Sequence, residues 1–300
     1  MTASGAVWRA YFPPVVARAT RISRRVLGAF LPVREQAHSR AMNDSPNSAL
    51  IAFAGRLADA ARAVVAPYFQ RPIDVAYKGD ASPVTEADRA VETRLRDMIA
   101  EQYPSHGVVG EELDNVGEDA EHVWVLDPID GTQLFIGGIP LFTTLIALTR
   151  GGVPVLGVID QPISGDRWLG AAGRPTTFNG APVRTRPCAR LADALICTSN
   201  PAYYEGADKA AFERLRDAVN WTQYGVDSYG FGLVASGFID LGIETVVHPH
   251  DFCPILPVIE GAGGVMTDWE GRPLTLTSGP RMLAAGDPAA HAAALALLAG

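Results

Sequence analysis

Four carboxylates stand in three separate stretches of this 300-residue chain: Glu111 in Gly110-Glu111-Glu112, Asp127 and Asp130 in Asp127-Pro128-Ile129-Asp130-Gly131-Thr132, and Asp251 far downstream. Such a set of hard oxygen donors suits Mg2+, which takes octahedral oxygen ligands and shares its shell with waters and substrate phosphate. Pro128 stiffens the backbone between the two aspartates, so both carboxylates and the Ile129 carbonyl can face one cavity, and two ions can share Asp127. Gly131 permits close approach to the backbone, and Thr132 offers a hydroxyl and an N–H to a phosphate oxygen. Singly, Asp-Gly-Thr is ordinary turn chemistry and Glu111-Glu112 an ordinary acidic surface. Their joint order along the chain is what carries weight.

These residues need elements to hold them. Apolar residues at three-and-four spacing, among them Ala54, Leu57, Ala58, Ala61, Val64 and Val65, predict an amphipathic helix between Leu50 and Phe69. Lys78-Gly79-Asp80 reads as a turn, and Thr85-Glu86-Ala87-Asp88 as the cap of a second helix, with Asp88 in its first turn. Val123-Trp124-Val125-Leu126 is a strand that delivers Asp127 to the sheet rim, so residues 127–132 are expected in a rim loop. Thr143 to Thr149 and Val153 to Asp160 form a hairpin across Gly151-Gly152, with strands following at 168–172, 195–198 and 238–243. Helical patterns cover 209–219, 228–236, a stretch after Asp251 and an Ala/Leu-rich end from Pro288. Strands layered with helices predict an α/β sandwich, with a soft division near residue 190. Gly230-Phe231-Gly232-Leu233-Val234-Ala235 matches the glycine fingerprint of dinucleotide folds, but its polar entry is a poor strand end, so close helix packing is expected there.

Charge narrows the class. Residues 1–41 hold seven Arg against Glu35, and that surplus of six leaves fourteen negative charges on the rest of a chain whose net is −8. An acidic body disfavours a nucleic-acid platform, which needs clustered Lys and Arg to displace counterions. Val26 to Leu31 is too short to span a membrane. Cys188, Cys197 and Cys253, odd in number and without CxxC spacing, indicate neither a disulfide framework nor structural zinc. A cytoplasmic protein is expected, with residues 1–44 a dispensable basic extension and 45–300 the catalytic domain.

The motif at Asp127–Thr132, with Gly110-Glu111-Glu112 before it and Asp251 and Glu260-Gly261-Ala262-Gly263-Gly264 after it, resembles the inositol monophosphatase family. Pro83-Val84-Thr85-x-x-Asp88 after Lys78 is similar to that family's N-terminal signature, and the resemblance covers about residues 47–300. Within the family it is nearest the histidinol-phosphate phosphatase branch, through Trp124 to Thr132, Thr144 to Leu148, Tyr224 to Tyr229 and Val258 to Trp269. The resemblance implies a five-layered αβαβα sandwich, a homodimer, lithium sensitivity and about two to three Mg2+ ions. It also implies roles: Glu111, Asp127 and the Ile129 carbonyl on a first metal; Asp127, Asp130 and Asp251 on a second; Thr132 and Asp88 orienting the attacking water near Glu111; Lys78 on a lid. Glu112 receives no ligand role.

The implied reaction is hydrolysis of a small phosphate monoester, with Gly131 and Thr132 on the phosphate side and Asp227 and Glu244 on the alcohol side. Two carboxylates suit a cation, which favours histidinol phosphate over inositol-1-phosphate. A 3′-phosphonucleotide or fructose bisphosphate substrate is more remote, as is a non-catalytic metal-binding regulator, which has no reason to keep Glu111, Asp127, Asp130, Thr132 and Asp251 together. The sequence departs from the branch at Gln133-Leu134, where a Lys-Ser-like pair is usual, and at His248 and His250, which are expected to be partly exposed and not ligands.

Overall fold

The computed structural model describes residues 46–79 and 83–300; the basic segment 1–44 lies outside the described residues. Helix α1 (Ser48–Val65) begins where the Asn47 side chain accepts the Leu50 N–H at 3.0 Å, and its Phe53, Leu57, Ala61 and Val65 are buried on one face. Strands β1 (Val75–Tyr77) and β2 (Pro83–Thr85) pair antiparallel. They lead into α2 (Glu86–Gln102), whose N-terminus is a capping box. The Thr85 hydroxyl accepts the Ala87 N–H at 3.2 Å, and Asp88 Oδ2 accepts the Thr85 N–H at 2.8 Å, so orphan amides at the helix start are satisfied.

A seven-stranded sheet follows in chain order: β3 (Gly107–Gly110), β4 (His122–Asp130), β5 (Thr143–Arg150), β6 (Val153–Asp160), β7 (Arg167–Ala171), β8 (Thr177–Phe178) and β9 (Ala181–Pro182). Only the β3–β4 pair is parallel. The short α3 (Thr132–Ile136) sits between β4 and β5. The second sheet contains β10 (Leu195–Thr198), β11 (Trp221–Tyr224), β12 (Leu241–Thr245), β13 (Val265–Thr267) and β14 (Arg281–Ala285), ordered β11-β10-β12-β14-β13. Its helices are α4 (Gly206–Ala218), α5 (Asp227–Ala235), α6 (Pro249–Phe252), α7 (Ile255–Gly261) and α8 (Pro288–Leu298).

Three apolar clusters bind these elements into five layers. α1 and α2 bury Leu57 and Leu95 against Trp124, Ile146 and Leu148 on one face of the large sheet. α5 and α7 lie between the sheets, where Phe231, Val258 and Ile259 meet Val125 and Leu145 from one sheet and Met282 and Ala284 from the other. α4 and α8 close the far side through Phe212, Leu215 and Ala294 on Ile196 and Leu283. Each large side chain fully buried here contributes about 1.5–3 kcal/mol relative to exposure. The sheets change over between Pro182 and Leu195 and share the middle cluster as a common core.

Two local expectations are corrected. Asp127 to Asp130 is not a rim loop: β4 runs through it, with Asp127 opposite Leu145 and Asp130 opposite Thr143. A register shift between them absorbs Pro128, which has no N–H to give the ladder, while its carbonyl accepts the Thr144 hydroxyl at 2.8 Å. The strand expected from Phe238 starts only at Leu241, because Gly237 turns the chain out of α5 and leaves Phe238 exposed. The glycine fingerprint is helix packing, as expected: a Cβ at Gly232 in α5 would lie 2.7 Å from the Trp168 ring. Among the described residues no helix is long and apolar enough to cross a membrane.

Candidate metal centre and active site

β4 ends by presenting Asp127 and Asp130, and α6 presents Asp251 across from them. Carboxylate oxygens of these three lie within 4.8 Å of one another. A second group, Glu111, Asp127 and His250, meets the same limit, so Asp127 belongs to both. The backbone and neighbouring hydroxyls fix the carboxylates from behind. Asp127 Oδ1 accepts the Ile129 N–H at 3.1 Å, and Asp251 Oδ2 accepts the His248 N–H at 2.6 Å. Asp130 Oδ2 accepts both the N–H, at 2.9 Å, and the hydroxyl of Ser228, whose oxygen is also 2.5 Å from Thr143 Oγ1.

The charge balance calls for cations. Burial pushes the Asp127 carboxyl well above its ordinary range, and the charges of Glu111, Asp130 and Asp251 push it further. Asp130 is raised by burial and then by Asp227 and Asp251, with Ser228 opposing. Buried carboxylates this close stay ionised when a divalent cation offsets their mutual repulsion, and an all-oxygen group such as Asp127, Asp130 and Asp251 is the donor type Mg2+ takes. Beside them, Asp88 is fully buried, and its Oδ1 has no hydrogen-bond partner among the described residues. Its Oδ2 is held by Thr85, so the free oxygen is fixed in place for a ligand or water. The Thr132 hydroxyl donates to the Ile129 carbonyl at 3.1 Å, leaving that carbonyl a second lone pair. The donor set fits the expected metal.

The model of the inositol monophosphatase family matches residues 47–299. The chain is 43% identical over 263 residues to the bifunctional phosphatase IMPL2 of Arabidopsis thaliana, covering 85% of this chain and 76% of that protein. It is 34% identical to a histidinol-phosphatase of Chlorobaculum parvum, over 72% of this chain and 84% of that one. Among solved structures, an inositol monophosphatase from Zymomonas mobilis superposes with a TM-score of 0.77 at 42% identity, covering 83% of this chain and 97% of the other. The chain belongs to the inositol monophosphatase family. It is a phosphatase with that family's layered fold.

Around the family's carboxylates, Lys78 reaches in from the segment after β1. Its ammonium lies 2.7 Å from Glu111 Oε1 and 2.6 Å from Glu112 Oε1. Burial works against that charge, but the hydrogen bonds and charges of Glu111 and Glu112 outweigh it and raise the Lys78 pKa. Glu112 goes the other way: burial carries its carboxyl up to about 7, with Lys78 opposing and Glu111 and Asp88 adding to the rise. Several carboxylates compete for one ammonium, and Lys78 keeps its proton.

A device the sequence reading missed holds this acidic loop. Glu92, fully buried on α2, accepts the Glu112 N–H at 2.8 Å, the Leu113 N–H at 3.3 Å and the Arg96 side chain at 2.8 Å. Arg96 in turn donates to the Leu113 and Asp114 carbonyls, each at 3.0 Å. Glu92 lies one helical turn beyond Asp88, and that spacing was the available signal. Glu92→Gln leaves Arg96 without its anion, so it should cost about 3 kcal/mol or more in urea unfolding. A loss below about 1 kcal/mol would show that the pair does not secure the loop.

On the alcohol side, Gly131 sits at φ 81°, and a Cβ there would lie 2.8 Å from Asp227 Oδ2, so only glycine lets the two approach. Asp227 is itself left-handed, at φ 40°, and its carboxylate takes no hydrogen bond among the described residues. Burial, then Asp251, raises it to about 6. Glu244 differs. Its carboxyl accepts the Ser199 N–H at 2.5 Å, the Ser199 hydroxyl at 2.8 Å and the Thr198 hydroxyl at 3.2 Å, tying the end of β10 to β12. Burial raises it to about 8 despite Ser199, so it leans towards its neutral form. The two carboxylates paired in the sequence analysis therefore have different surroundings, and only Asp227 is free to meet a ligand.

Proposed function

We propose that this chain hydrolyses histidinol phosphate, with Mg2+ as its cofactor and water as the nucleophile. Asp227 carries the reading: a half-buried carboxylate in a strained left-handed backbone, without a hydrogen-bond partner among the described residues, facing the Gly131-Thr132 turn. A cation is the natural occupant of such a position, and histidinol phosphate brings an ammonium and an imidazole. The histidinol-phosphatase among the relatives supports the same choice. The likeness to an inositol monophosphatase structure keeps inositol-1-phosphate as the second reading.

In this proposal Glu111, Asp127, the Ile129 carbonyl, Asp130 and Asp251 hold the metal. Bound there, Mg2+ supplies a Lewis acid that offsets charge on the phosphoryl oxygens. Asp88 Oδ1 accepts a hydrogen bond from the attacking water, and Thr132 turns its hydroxyl from Ile129 to the same water. The Gly131 turn brings the backbone of Thr132 against the phosphate, and Lys78 screens the acidic loop as a lid. The protein acts as a cytoplasmic homodimer. The test is kcat/KM for the two substrates with Mg2+: histidinol phosphate should lead by about tenfold or more, the worth of one charge-assisted contact. Faster turnover of inositol-1-phosphate would promote the second reading, and no turnover of either would sink the proposal.

A further inference from the structure

His250 stands where the sequence analysis expected no ligand, yet one of its ring nitrogens lies within 4.8 Å of carboxylate oxygens of both Glu111 and Asp127. We infer that His250 is a nitrogen ligand of the Glu111–Asp127 metal site, making it a mixed nitrogen–oxygen site whose imidazole adds affinity for Co2+ and Zn2+ without excluding Mg2+. The inference rests on the reading of these carboxylates as a metal centre and adds a donor to it.

Three features support the assignment. The first is position: α6 is four residues long, and Pro249 at its start pins the backbone, so His250 and Asp251 are consecutive side chains of one rigid turn. Asp251 faces Asp127 and Asp130, while His250 faces Asp127 and Glu111, and Asp127 bridges the two groups. Second, the imidazole is oriented. His250 Nε2 is 3.6 Å from Asp251 Oδ1, and its ring stacks on that of His248 with centroids 5.4 Å apart. Third, its side chain is only 15% exposed, so it is not simply a solvated surface histidine. Imidazole has little affinity for Mg2+ but suits late first-row divalent ions such as Co2+, Ni2+ and Zn2+. The other group, Asp127, Asp130 and Asp251, has only oxygen donors, the type Mg2+ takes, and lacks the nitrogen that His250 adds.

The test uses the full chain with Co2+, Zn2+ or Mg2+ alone, comparing wild type with His250→Gln and His250→Tyr, and with His248→Gln as the neighbouring control. Titration calorimetry should show Co2+ and Zn2+ binding weakened about tenfold or more in both His250 variants, with Mg2+ binding changed less than about threefold. The visible spectrum of the bound Co2+ should change in the His250 variants and not in His248→Gln. Parallel losses for Co2+ and Mg2+ would mean that His250 only shapes the site, and an unchanged Co2+ spectrum would mean that it donates no nitrogen; either result overturns the inference while leaving the phosphatase reading intact. A wild-type chain that binds no divalent cation overturns both.

Discussion

Asp127→Asn and Asp251→Asn are each expected to lower kcat by at least about a hundredfold while the fold persists. Asp127 belongs to both candidate metal groups, and Asp251 completes the all-oxygen one, so either change removes a negative charge where the proposed mechanism needs a cation held against the phosphate. Asparagine keeps the shape and one oxygen, which isolates the charge. The same substitution relieves repulsion: burial and the neighbouring carboxylates already push Asp127 towards its neutral form, so without metal Asp127→Asn should be no less stable than wild type. The measurements are Mg2+-dependent phosphate release and thermal unfolding with chelator present. Retention of more than about a tenth of the wild-type rate, a loss of only about 1.4 kcal/mol in transition-state stabilisation, would reject the metal assignment.

Asp227→Asn should be selective in its effect. It is expected to lower kcat/KM for histidinol phosphate by about ten- to a hundredfold, the value of one charge-assisted contact of about 1.5–3 kcal/mol, and to spare inositol-1-phosphate. Asparagine tolerates the left-handed backbone at φ 40° nearly as well as aspartate, so little of the loss should come from the fold. Glu244→Gln offers the contrast: Glu244 leans towards its neutral form and serves the Thr198–Ser199 turn, so any loss there should fall equally on both substrates. Equal losses on both substrates for Asp227→Asn would move Asp227 from substrate recognition to support of the metal site.

Most of the elements, and the family, were legible in the sequence, because both are written in local pattern. Apolar spacing placed α1, the Thr85–Asp88 box placed the start of α2, and alternating apolar runs around Gly151-Gly152 placed the β5–β6 hairpin. The order of Glu111, Asp127, Asp130 and Asp251 carried the family and its metal chemistry, since a hard-ion site requires particular donor types wherever the chain places them. Relations between residues far apart in the chain became visible only once it was folded. Glu244 and Asp227 look alike as letters, but Ser199 claims one and leaves the other free. Glu92 and Arg96 read as an ordinary helical salt bridge until the 112–114 loop folds onto them. His250 has no ligand spacing in the sequence, and only the packing of α6 against β4 brings its ring to Glu111 and Asp127. Donor type is a property of a residue, whereas a partner within a few ångströms is a property of the fold, and hydrogen bonds and metal sites depend on that distance.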